Sequence, residues 1–287
     1  MSHLQDELAA GRFVVTAEIA PPKGVDIQEA LATANAFVDI AAVNVTDNQG
    51  ANMRMTPLVM AGKLAAAGVE PVLQLTCRDR NRMALQSDLL GAASLGVENL
   101  LLLSGDHTRF GDHPEARSVF DLDSVQLLQI AHNMAQGCDM SGQKLVGEPR
   151  FFPGAAVSPE SEPFELMFQK YQKKVDAGAC FFQTQAVFNS EKFERFMSAA
   201  NKLKVPVLAG VLLLKSARMA RFLNENIPGV QVPDELIERL EKAANPLDEG
   251  VAIARETVAV ARECCQGVHL MTLGQEAKIP AIICAGS

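Results

Sequence analysis

The sequence predicts an α/β chain folded as a single (β/α)8 TIM barrel, one domain over residues 1–287, and three observations carry that prediction. Apolar, strand-like runs alternate with helix-period stretches along the chain, and eight such units in 287 residues match the usual size of a β/α barrel. Several of the runs, such as Leu100-Leu101-Leu102-Leu103, are apolar at consecutive positions, as strands buried on both faces of a helix-covered parallel sheet must be. Three runs end in a polar residue that a buried strand has no structural reason to carry: Glu18, Asp106 and Gln185. Polar groups at the carboxyl ends of parallel strands are how such a barrel builds an active site. An open doubly wound sheet is the alternative. It would carry a glycine-rich phosphate loop after its first strand, where this chain has Ala20-Pro21-Pro22-Lys23-Gly24.

The expected strands are 13–18, 41–46, 70–76, 98–104, 152–157, 180–185, 205–213 and 267–272. Between them the periodicity predicts helices over 28–37, 57–67, 82–95, 122–136, 163–177, 191–202, 216–225, 234–243 and 246–264. Thr56 before Pro57 and Asn245 before Pro246 read as caps, and Gly96 and Gly178 as stops. The longest insert, 107–120, follows a strand end directly and is a candidate ligand-binding loop.

Composition narrows the function classes. Hydrophobic residues make up 48% and charged residues 21%, ordinary for a globular enzyme, and the net charge of −8 argues against nucleic-acid or anionic-membrane binding as the main task. No apolar run approaches the roughly 20 residues of a membrane span. Residues 1–11 lack the apolar core of a signal peptide, so a cytoplasmic location is the default expectation. The six cysteines, Cys77, Cys138, Cys180, Cys264, Cys265 and Cys284, form no C-x-x-C pair and suggest neither a disulfide framework nor a metal site. The adjacent Cys264-Cys265 pair reads as packing at a helix end.

At the strand ends, Glu18 precedes Ile19-Ala20-Pro21-Pro22. A carboxyl group walled by apolar side chains holds its proton longer and can serve as a general acid; the plainer reading is a rim carboxylate paired with Lys23. Asp106 follows Ser104-Gly105, where glycine permits close approach of a flat ligand; the alternative is a helix cap. Gln183 and Gln185 share a strand face and could read a ring edge with their amides, or satisfy barrel backbone instead. Thr46, Asp47, Asn48 and Gln49 either cap the next helix or contact a ligand, and Gln74 and Thr76 lie at the third strand's end. His107 and His113 lie near Asp106 and Asp112, but no ligand triad of metal-binding spacing is present and no metal is expected. Lys174 is either an exposed helix lysine or one that reaches a phosphate. The start of 216–221, usually a solvated helix face, could hold an anion.

Taken together, Ala17-Glu18-Ile19-Ala20-Pro21-Pro22, Val45-Thr46, Leu75-Thr76-Cys77, Leu103-Ser104-Gly105-Asp106, Lys174-Val175-Asp176-Ala177-Gly178-Ala179, Thr184-Gln185 and Gly210-Val211-Leu212 resemble the methylenetetrahydrofolate reductase family. The similarity spans nearly the whole chain. Leu212 to Ala217 and Met271 to Gly274 look most like the short reductases of anaerobic one-carbon pathways. The resemblance implies a flavin, FAD or FMN, at the carboxyl ends of the strands. It implies that Glu18 protonates the folate amine nitrogen to open the five-membered ring, that Asp106 lies near flavin and pterin, and that Gln185, with Gln183, binds the pterin. Thr46, Thr76, Gln74, Ser104, Gly105 and Phe120 would contact the flavin, and Lys174 its phosphate region.

Departures from the family pattern are specific. Gln74 stands where many members have histidine, Ser104 where they have arginine, Phe120 where a tyrosine covers the flavin, and Met271 where a tyrosine sits late in the barrel. Lys170 and Met167 replace polar residues that hold the flavin nucleotide. FAD, FMN and a chain isolated without flavin are the resulting alternatives. The expected electron donor is NAD(P)H or a redox protein, the expected substrate a folate, and the expected assembly a homo- or hetero-oligomer. Two other functions fit the same residues: a folate-binding methyltransferase barrel acting with a corrinoid protein, and a subunit that works only with a redox partner.

Overall fold

The structure, a computed structural model, describes residues 1–227 and 229–283. Eight parallel strands close into a barrel in sequence order: β1 Val14–Ile19, β2 Ala42–Val45, β3 Pro71–Thr76, β4 Asn99–Leu103, β5 Phe152–Val157, β6 Phe181–Ala186, β7 Val207–Leu212 and β8 Gly267–Met271. The ring closes where β8 pairs with β1, Thr16 lying opposite His269. The helices are α1 His3–Ala9, α2 Gln28–Asn35, α3 Pro57–Ala66, α4 Arg82–Ser94, α5 Ser124–Ala135, α6 Phe164–Asp176, α7 Ser190–Ala200, α8 Ala217–Asn226, α9 Asp234–Lys242, α10 Pro246–Cys264 and α11 Ile279–Ile283. All eight expected strands and nine expected helices are present, with ends shifted by a few residues.

Local chemistry explains most boundaries. Asp123 and Gln126 form a reciprocal capping box at the start of α5, and the Asn81 side chain accepts from the backbone N–H groups of Met83 and Ala84 at the start of α4. Asn245 caps α10 as expected, but the Thr56 side chain makes no capping bond; Pro57 alone starts α3. Gly96 and Gly178 take positive φ after α4 and α6, the left-handed geometry that ends a helix. At the end of α10 the Cys264 and Cys265 thiols point to the carbonyls of Val260 and Ala261 one turn back. Cys284 lies outside the described residues.

α1 and α11 were not expected. α1 is only seven residues long, yet Leu4 and Leu8, one turn apart on one face, insert among Val14, Ala42, Val72, Leu101, Phe152, Phe181 and Leu208. This plug closes the amino-terminal end of the barrel. Ser2, its cap, also donates to Asn99 Oδ1 at 2.6 Å, tying the helix to β4. Gly154 makes room for the plug, since a Cβ there would stand 2.3 Å from the Phe181 ring. With that end filled, the other is left for a ligand.

Candidate active site

The carboxyl ends of the strands surround a cavity of about 510 Å³. Glu18 from β1, Gln74 and Thr76 from β3, Ser104, Gly105 and Asp106 after β4, Lys174 from α6, and Gln183 and Gln185 from β6 all line it. The three strand-end residues that motivated the barrel therefore share one rim. Thr46 and Phe120 do not line it. β2 ends at Val45, so alternation no longer aims Thr46 inward, and its hydroxyl is enclosed without a hydrogen-bond partner among the described residues. Phe120 sits at φ 42° with its N–H on the Cys77 carbonyl, its half-exposed ring tilted against His107 on the outer lip.

Glu18 is nearly buried, and its surroundings are polar where apolar walls were expected. Gln49 Nε2 donates to Oε1 at 3.1 Å, and His269 Nε2 stands 3.6 Å from Oε2. Lys23 does not pair with it. That lysine reaches Asp112 in the long insert, and Asp112 also accepts from the Met53 N–H and faces His113. Lys23, His113 and the Met53 N–H hold the Asp112 carboxyl well below the usual range. The insert 107–120 is thereby strapped across the loops after β1 and β2.

Asp47 caps no helix. Its buried carboxylate accepts from the Thr76 N–H at 2.8 Å and hydroxyl at 2.9 Å, and from Arg80 at 2.7 Å. Thr76 thus lines the cavity with its hydroxyl already committed. Gly105 is required by packing more than by a ligand: at φ +87° a Cβ would meet Thr76 Cβ at 2.9 Å and Arg78 Cβ at 3.2 Å. Gln183 lies deeper than Gln185. It exchanges two amide hydrogen bonds with Asn44, at 2.7 and 3.1 Å, whereas Gln185 is exposed at the mouth. The hydroxyl of Thr184 donates to the Gln185 carbonyl and accepts from the Gly210 N–H, and the β6–β7 register shifts between Gln183 and Ala186.

Lys174 points inward and donates to the Ala156 carbonyl at 2.7 Å; burial pushes its ammonium below the usual lysine range. Beside it, the Tyr171 hydroxyl is buried with no partner among the described residues, and desolvation pushes the phenol up to about 12. Lys170, Met167, Ser124, Ser158 and Ser161 complete this side.

Arg78 and His269 line the cavity and were missed by sequence reasoning. Arg78 is buried, forks onto Asp79 at 2.8 and 2.6 Å and reaches the Asp106 carbonyl at 3.4 Å. In Cys77-Arg78-Asp79-Arg80 it reads as a solvated charge run. His269 had a usable signal: an imidazole in the otherwise apolar Gly-Val-His-Leu-Met strand.

Comparison with known proteins decides the family. The family model described as methylenetetrahydrofolate reductase matches residues 3–286. The chain belongs to the methylenetetrahydrofolate reductase family. A 5,10-methylenetetrahydrofolate reductase of Pectobacterium carotovorum subsp. carotovorum is 24% identical over 96% of this chain and 90% of its own length. A probable methylenetetrahydrofolate reductase (NADH) of Oryza sativa subsp. japonica is 26% identical over 95% of this chain, which spans 48% of that relative. Among solved structures, a Clostridium thermocellum protein described as binding two copies of 5-methyl-5,6,7,8-tetrahydrofolic acid superposes with a TM-score of 0.66 at 16% identity, covering 98% of this chain and 96% of its own. At that identity the likeness shows the shared barrel. No helix of the described residues is long and apolar enough to cross a membrane.

Proposed function

We propose that the chain reduces 5,10-methylenetetrahydrofolate to 5-methyltetrahydrofolate at this rim. The observation that carries the reading is the convergence of Glu18, Asp106 and Gln185 on one cavity in a chain of this family. In this reading Glu18 delivers a proton to the amine nitrogen of the substrate's five-membered ring. The carbon–nitrogen bond opens, and the exocyclic carbon becomes an electrophilic iminium. Gln185 at the mouth, backed by Gln183, hydrogen-bonds the pterin edge. Asp106 lies across the cavity, where its charge favours the cationic state. Positioning in a water-poor mouth supplies much of the acceleration.

The residues present fit a flavin. Tyr171 leaves a buried hydroxyl orphaned in the wall, and Lys174 is a desolvated ammonium beside it, so this side would receive polar, anionic groups. Gln74, Ser104 and Gly105 would hold a flat ring, with Lys174, Lys170 and Tyr171 toward its phosphate. Bound there, a reduced flavin supplies the hydride. Thr46 and Phe120 are left out of this set because they lie off the cavity. The donor that recharges the site is NAD(P)H, in keeping with the rice relative named for NADH, or a redox protein.

The test pairs two measurements on the purified chain: the visible spectrum and mass of whatever co-purifies, and the conversion of methylenetetrahydrofolate with NADH, NADPH or a chemically reduced flavin. Formation of 5-methyltetrahydrofolate with any of these supports the reading. Methyl transfer to a corrinoid protein without reduction overturns it.

A further inference from the structure

Beneath Glu18 a chain of buried polar side chains crosses the barrel interior, and only its upper end faces the cavity's acid. Asn44 Nδ2 donates to Gln183 Oε1 at 2.7 Å, so the amide nitrogen of Gln183 is the end directed at Asn44 Oδ1, 3.1 Å away, and at Thr16 Oγ1, 3.3 Å away. Thr16 therefore accepts there and has one proton to give. Of its two possible acceptors, His269 Nδ1 at 3.0 Å is closer than the Val268 carbonyl at 3.4 Å. The shorter contact favours Nδ1 as the acceptor and so the imidazole proton on Nε2; the other arrangement, Nδ1–H donating to Oγ1, would turn the hydroxyl to the longer Val268 contact. That N–H stands 3.6 Å from Glu18 Oε2, while Gln49 holds Oε1. Gly210, the β7 neighbour of His269 in register, brings no side chain to the ring.

We propose that His269 is the positioning residue of Glu18, presenting an Nε2–H fixed by the Thr16–Gln183–Asn44 relay to the edge of the carboxyl group that Gln49 leaves free. The inference rests on the proposed reduction and deepens it. At 3.6 Å Nε2 stands just beyond hydrogen-bond distance of Oε2. Once the proton has moved to the folate nitrogen, the carboxylate closes on Nε2–H, a hydrogen bond strengthened by charge. His269 keeps its own proton throughout; Glu18 recovers one from solvent through the open mouth. A buried four-residue relay that serves only packing would be costly beside an apolar barrel layer, whereas one that fixes a tautomer has a use.

Two independent readouts test this. In ¹⁵N spectra of the histidine rings, wild-type His269 is expected as the Nε2–H tautomer and Thr16→Val is expected to lose that preference. A wild-type Nδ1–H tautomer would overturn the relay whether or not the chain is a reductase. In turnover, His269→Leu should lower kcat roughly 10- to 100-fold with KM for the folate little changed. His269→Gln, whose amide can place an N–H near the Nε2 position, should recover most of the loss. His269→Leu turning over at the wild-type rate with an unchanged melting temperature would refute the role. If His269→Leu does not fold, Thr16→Val decides: a several-fold loss in kcat supports the relay and no loss overturns it. A wild-type chain inactive with every donor sinks the proposed reduction, and the tautomer measurement still decides the relay.

Discussion

At the amino-terminal end of the barrel the inner positions of four strands are Val14, Ala42, Val72 and Phe181, closed off by Leu4 and Leu8. Two residues further along the same strands they are Thr16, Asn44, Gln74 and Gln183, and β1 carries Glu18 one residue before its end. One strand geometry thus carries a dry plug at one end and a hydrogen-bonded polar floor at the other. Alternation makes the pattern possible, because a shift of two residues stays on the same face. The difference teaches where each property resides. The plug carries packing energy; Leu4 and Leu8 do not line the cavity, and Leu101, in the same cluster, separates the two ends. In the polar floor Thr16, Asn44 and Gln183 are bonded to one another, which offsets their cost of burial, while Gln74 has no side-chain hydrogen bond among the described residues and faces the cavity with the rim.

That division can be broken from either side. The largest effect is expected at the rim: Glu18→Gln should lower turnover by roughly 10²–10⁴-fold, the usual worth of a general acid, while the melting temperature and flavin content stay near wild type. Near-normal turnover would remove Glu18 from the acid role. Next comes the clamp behind the rim. Asp47→Ala removes the acceptor of the Thr76 N–H and hydroxyl and leaves Arg80 with Asp88 as its remaining close carboxylate, and should cost about 3–5 kcal/mol in urea denaturation. In the plug, Leu4→Ala should cost about 2–5 kcal/mol and leave kcat unchanged in the remaining folded protein. A matching loss of kcat at temperatures where the variant is folded would show that the two ends are coupled.

The smallest effect concerns pH. Burial depresses the Lys174 pKa in the folded chain below its ordinary 10.5, so the unfolded chain binds more protons between the two values. Lys174 therefore makes stability rise as pH increases through that window. Lys174→Met should flatten that part of the stability–pH curve and weaken binding of an anionic ligand, checked by denaturation at stepped pH and by equilibrium binding of FMN.

The barrel was legible because its signals are local. Consecutive apolar runs, capping side chains and glycine stops all act within a few residues, and they located eight strands and nine helices. α1 escaped because its case rests on two leucines whose value appears only when the barrel floor is in place. The rim was legible wherever a polar residue ended an apolar strand, as at Glu18, Asp106 and Gln185. Arg78 was not, since its burial depends on the fork with Asp79 and the packing of Gly105 over it. Partner choice was least legible: nothing local says that Lys23 goes to Asp112, or that Asp47 reaches Thr76 across 29 positions. Thr46 and Phe120 show the same limit, since their places follow from where a strand stops and how a loop folds back.

The most direct test is an experimental structure of the chain with 5-methyltetrahydrofolate bound. The account predicts the pterin at the carboxyl-terminal rim, with Glu18, Asp106 and Gln185 around it and the plug of Leu4 and Leu8 untouched. Folate bound elsewhere on the molecule, with those three side chains free of it, would contradict the account.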